Sequence, residues 1–130
     1  AISTGIGTDN IDIVINELDA LVNIDFKTKT INKEKRSLNL IRLGTSGALQ
    51  SNIDIDTFLA SSFGLGFDNL AHFYNNKKVL EKEMGTEYLK HSNWPQNLSE
   101  PYFVKASSSL LNIFSDLKQG ITATAPGFYG

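Results

Sequence analysis

Six apolar residues, Ile11, Val14, Ile15, Leu18, Leu21 and Val22, recur every three or four positions behind a Gly5-Ile6-Gly7 turn. That spacing places them on one side of a helix, predicted over residues 9–22. Thr8 or Asp9 is the expected cap, and Asp9 and Asp12 suit the positive end of the helix dipole. A second stripe, Leu110, Leu111, Ile113, Phe114 and Leu117, predicts a helix over 107–117 with a serine cap and Gln119-Gly120 at its end. Between and around these helices lie short apolar runs of β type, at 38–43, 57–65, 102–104 and 121–125. Ala1-Ile2-Ser3 reads as the end of a further strand. Strands alternating with helices define an α/β layer arrangement.

At 130 residues and 41% apolar content the chain suits one domain with a modest core. A net charge of −2 excludes a dedicated nucleic-acid surface, which needs a basic excess. The absence of cysteine removes disulfides, thiolate metal sites and cysteine nucleophiles together, and it fits a cytoplasmic protein. No apolar stretch is long enough to span a bilayer as a helix, so no membrane partner is expected.

The region 23–37 gathers Lys27, Lys29, Lys33, Lys35 and Arg36, and the alternation in Phe26-Lys27-Thr28-Lys29-Thr30-Ile31 reads as a solvated hairpin. Asn52-Ile53-Asp54-Ile55-Asp56 has the acidity of a calcium loop. It lacks the central glycine and closing glutamate of one, and is read as a turn. Leu70, Phe73 and Tyr74 are expected to pack under the sheet. Helix formers flank Gly85. His72 and His91 are not spaced as a metal pair and are read as structural or surface groups, so no metal site is predicted. Trp94 is read as a packing anchor.

The richest segment is Arg42-Leu43-Gly44-Thr45-Ser46-Gly47-Ala48-Leu49-Gln50, which follows the apolar run Leu38-Asn39-Leu40-Ile41. An arginine at a strand end presents a planar fork of donors suited to phosphate. Gly44 and Gly47 permit close approach of an anion, and Thr45 and Ser46 add hydroxyls and a possible nest of peptide N–H groups. On these residues alone, a surface ion pair at Arg42 beside a plain glycine turn accounts for the segment equally well.

The same segment resembles the phosphate- and ribose-binding motif of the nucleoside phosphorylases, in the form seen in uridine phosphorylases. Ser3-Thr4-Gly5-Ile6-Gly7 with its following helix resembles the family's strand-turn-helix ahead of that motif. Gly120-Ile121-Thr122-Ala123-Thr124-Ala125-Pro126-Gly127-Phe128-Tyr129 resembles the strand and loop that bring an aromatic ring to the base. The resemblance implies part of a mixed sheet flanked by helices. It implies a pentosyltransferase that cleaves a nucleoside with inorganic phosphate as co-substrate and no cofactor, as in nucleotide salvage. It assigns Arg42 and Thr45 to phosphate and catalysis, and Thr45, Ser46, Gly47 and Phe128 to ribose and base. It also implies a homo-oligomer built from dimers, in some members hexamers.

Some members hold a monovalent cation where this chain carries Asn10 in place of a small hydroxyl residue, so no cation is predicted. Family members are longer at both ends, so the chain is expected to be an internal piece, incomplete at each end and inactive alone. A purine-specific phosphorylase, a hydrolytic nucleosidase on the same scaffold, and a non-catalytic nucleoside- or phosphate-binding module or fragment stand as alternatives.

Overall fold

The structure is a computed structural model in which residues 1–127 are described. The chain divides into two compact units, Ala1–Leu40 and Ile41–Gly130.

In the first unit, α1 (Thr8–Asn23) realises the predicted stripe. Its start differs from expectation. Gly7, at φ 103°, occupies the capping position, and neither Thr8 nor Asp9 caps the helix. A left-handed turn that glycine tolerates sets the entry angle instead. Residues 1–3 form no strand, since no ladder partner runs beside them among the described residues.

The helix ends on Asn23, which is buried. Its Nδ2 donates to Asp19 Oδ1 (2.8 Å) and to the Arg36 carbonyl (3.0 Å), and its Oδ1 accepts the Arg36 N–H (2.7 Å). One amide thus ties the helix end to the chain that returns from the hairpin. That hairpin is the predicted one: β1 (Ile24–Asp25) pairs antiparallel with β2 (Thr30–Ile31). Asp25 Oδ1 accepts the N–H groups of Lys27 (2.8 Å) and Thr28 (3.4 Å) inside the turn, and Lys29 adopts φ 55°. These backbone donors hold the Asp25 carboxyl below the usual range.

The second unit is built on a three-stranded mixed sheet in the order β4-β3-β5. The central strand β3 (Leu59–Gly66) runs antiparallel to β4 (Tyr102–Lys105) and parallel to β5 (Lys118–Thr124). It continues through Gly64 to Gly66, one residue past the run read from the sequence. Its register against β5 shifts between Ser61 and Phe63, and Ser62 Oγ donates across this irregularity to the Gly120 carbonyl (3.1 Å).

Helix α2 (Lys82–His91) passes through Gly85 and lies against β4. The core here is aromatic. Trp94 stacks on Phe67 (5.3 Å between centroids), and Tyr88 meets Phe67 and Phe103 at 5.9 Å each. Trp94 is therefore the anchor its sequence position suggested, with Nε1 donating to the Ser99 carbonyl (3.1 Å). Phe73 and Tyr74 do not pack under the sheet. Both are exposed beside a 3₁₀ turn at Leu70–Phe73. The aromatic cluster is filled from α2 and the 94–103 segment instead.

The predicted helix over 107–117 shortens to α3 (Ser108–Leu111) and a 3₁₀ turn at Asn112–Phe114. Ser107 makes no side-chain cap. Gly120 lies inside β5 and caps nothing. The ladder Leu59↔Lys118, Ala60↔Gln119 and Ser61↔Gly120 claims these residues, so tertiary pairing overrides the helix-ending signal. Among the described residues, no helix is long and apolar enough to cross a membrane.

Candidate active site

The Arg42 segment is not the end of a buried strand. Residues 38–43 form neither strand nor helix, and Leu43 is almost fully exposed. An apolar run becomes a strand only where a neighbour completes its backbone hydrogen bonds, and among the described residues none pairs with this one.

The arginine nevertheless has a defined local arrangement. Its guanidinium lies against Gly44, where a Cβ would stand 2.9 Å from Nη1 and 3.2 Å from Cζ and Nη2. The absence of a side chain at Gly44 thus makes room for the fork. Among the described residues no carboxylate lies at ion-pair distance from Arg42. Among the described residues, Arg42 thus lacks the carboxylate that a surface ion pair requires.

Thr45, Ser46 and Gly47 follow in an exposed stretch, and the space before Gly47 is open. The loop that leads on to β3 turns at Asn52-Ile53-Asp54, with the Ile53 N–H donating to the Gln50 carbonyl (3.3 Å). Lys118 Nζ, at the start of β5, donates to the Asn52 carbonyl (3.3 Å) and tethers this turn to the sheet. The structure therefore brings Arg42 and Gly44 together and leaves Thr45–Gly47 accessible. Phe128 lies outside the described residues.

The carboxyl ends of β3 and β5 form a second feature. The Phe67 N–H donates to the Thr124 carbonyl (2.8 Å), just where residues 125–127 leave the sheet. The next residue, Asp68, is buried at 5% exposure. Its Oδ1 accepts the Leu70 N–H (2.9 Å) and the Tyr102 hydroxyl (2.5 Å), and its Oδ2 is buried without a partner among the described residues. The Tyr102 ring covers Gly66 so closely that no Cβ would fit there. Burial, and then the Asp68 carboxylate beside it, push the Tyr102 phenol well above its ordinary range. Sequence reading missed this pair. The available signal was Gly64-Leu65-Gly66, whose alternating glycines mark a strand that something approaches closely.

His72 and His91 take the structural and surface roles expected of them. His72 Nε2 lies 3.0 Å from the Glu100 carbonyl, and exposed His91 stands 3.8 Å from Glu87. Among the described residues no cluster of three or more histidine or acidic side chains is placed to hold a metal ion.

A profile of the phosphorylase superfamily matches residues 1–130. The chain belongs to the phosphorylase superfamily. Its fold is similar to that of a nucleoside phosphorylase from Trypanosoma brucei, described as showing uridine phosphorylase activity, with a TM-score of 0.76 and 21% identity. The match covers 98% of this chain and 49% of the trypanosomal one, so this phosphorylase chain spans about half that length. No curated protein matches it. The mixed sheet flanked by helices is the architecture that the sequence resemblance implied.

Proposed function

We propose that this phosphorylase cleaves the N-glycosidic bond of a nucleoside with inorganic phosphate, giving free base and ribose 1-phosphate. The observation that carries the proposal is the guanidinium of Arg42, seated over Gly44, with no carboxylate among the described residues to neutralise it and an exposed Thr-Ser-Gly stretch beside it. A fork without an internal partner is a site for an external anion.

In this reading Arg42 neutralises phosphate and orients it below the sugar. A phosphate oxygen forms the new bond to C1′ as the C1′–N bond breaks, and the base leaves with the bonding electron pair. No side-chain nucleophile takes part, so catalysis rests on positioning and on stabilising an oxocarbenium-like transition state. Thr45 bonds phosphate and a ribose hydroxyl. Ser46 and Gly47 line the sugar and base, and Phe128 forms the aromatic wall at the base. The activity reported for the T. brucei protein makes uridine the first substrate to test. We further assign the enzyme to the cytoplasm as a homo-oligomer, a reading supported by its cysteine-free composition and its family. Because the chain covers half of the related one, the 130 residues alone should turn over poorly, each missing contact costing on the order of a hundredfold.

The test is base release from uridine and from inosine, with and without phosphate. Release that requires phosphate and yields ribose 1-phosphate supports phosphorolysis, and the two substrates give the base preference. Release at equal rates without phosphate points to a hydrolase and overturns the proposal.

A further inference from the structure

The parallel pair β3 and β5 ends at one edge, with Gly66 opposite Thr124 in register. In α/β sheets this carboxyl edge is where ligands seat. Just past the ladder, one more backbone bond joins the two strand ends, from the Phe67 N–H to the Thr124 carbonyl. Phe67 is gripped on both sides. Before it, the Tyr102 ring lies on Gly66. After it, Asp68 is fixed by Tyr102 and by the Leu70 N–H. The His72 ring meets Tyr102 edge-on at 5.8 Å and closes the group.

A buried carboxylate with one oxygen unpartnered among the described residues is an expensive way to hold a chain, because that oxygen is desolvated without a compensating hydrogen bond from them. Such a group persists where position matters more than stability.

We propose that Asp68 and Tyr102 are a positioning pair for the loop that begins at Ala125. By fixing Phe67, they fix Thr124 and so the point from which the base-side loop departs. This rests on the assignment of that loop to the base in the proposed function. Neither residue touches substrate in this account. They act through Phe67 and Thr124.

Trp94, the sole tryptophan of the chain, stacks on Phe67 and reports on its position. The experiment therefore has two arms, both on the full-length protein. In the first, hydrogen exchange at the Phe67 amide and Trp94 emission are compared in wild type, Asp68→Ala, Asp68→Asn and Tyr102→Phe. Tyr102→Phe keeps the ring over Gly66, which guards against simple unfolding. Exchange at Phe67 should quicken about tenfold in Asp68→Ala and Tyr102→Phe, with shifted Trp94 emission, while Asp68→Asn, which keeps the Oδ1 acceptor, stays near wild type. Unchanged exchange in both Asp68→Ala and Tyr102→Phe overturns the clamp, whatever the activity. In the second arm, the same two variants should raise the nucleoside KM about tenfold and leave the phosphate KM within twofold. Equal changes in both KM values reduce the pair to a structural role and overturn the positioning. An enzyme that needs no phosphate sinks the proposed function, while the first arm still decides the clamp.

Discussion

Arg42 folds back onto Gly44, so that the guanidinium occupies the space a β-carbon would need 2.9 Å from Nη1. Gly44 does not adopt a left-handed backbone, so alanine there is not strained. The obstacle to alanine is the tip of a flexible side chain, which can swing away. Gly44→Ala should therefore keep stability within about 1 kcal/mol of wild type while dislodging the fork. The phosphate KM should rise roughly tenfold, since small misplacements of an anchoring group are costly. Thermal unfolding together with phosphate kinetics checks both halves.

Asn23 makes a different kind of link. Its amide satisfies both the N–H and the carbonyl of Arg36 from the end of α1. Asn23→Ala strips these backbone groups of their partner in a part-buried place. It should cost about 1 kcal/mol. Chemical denaturation measures the loss, and amide exchange at Arg36 should rise with it.

Tyr102 gives an alkaline signature. Its phenol is held above the ordinary value of about 10. Above pH 10 the unfolded chain loses this proton while the folded chain keeps it, so the folded state binds more protons and stability falls as pH rises. The contribution is full below pH 10 and fades above it, toward the folded value. Tyr102→Phe should flatten this part of the stability profile between about pH 10 and 12.

Asp25 gives the opposite signature. Its carboxyl accepts the Lys27 and Thr28 N–H groups, and its folded value lies below 3.8. The hairpin gains from this above the unfolded value and loses it as pH falls through the folded one. Carbon-detected NMR titration should place the Asp25 midpoint below that of exposed aspartates. The Lys27 amide shift should follow the same curve.

The sequence made some elements legible and hid others for physical reasons. α1, the β1–β2 hairpin, β3 and β5 were readable because local periodicity, turn residues and β-branched runs all agree there. Residues 38–43 read as a strand because apolar content does not reveal whether a partner strand is present. The 107–117 helix was overextended because Gly120 serves a ladder with Ser61, a pairing across distant residues that no local pattern announces. The Arg42 segment was legible as chemistry before any geometry was known. The Asp68–Tyr102 pair was not, since it joins residues 34 apart through antiparallel pairing of β3 and β4.

The most direct test of the account is the phosphate dependence of uridine cleavage, measured side by side for the full-length enzyme and its Arg42→Ala variant. Phosphate dependence should be saturable in the wild type, with a phosphate KM raised about ten- to a hundredfold in the variant, the worth of one charged hydrogen-bonding group. Identical phosphate curves for the two proteins would contradict it.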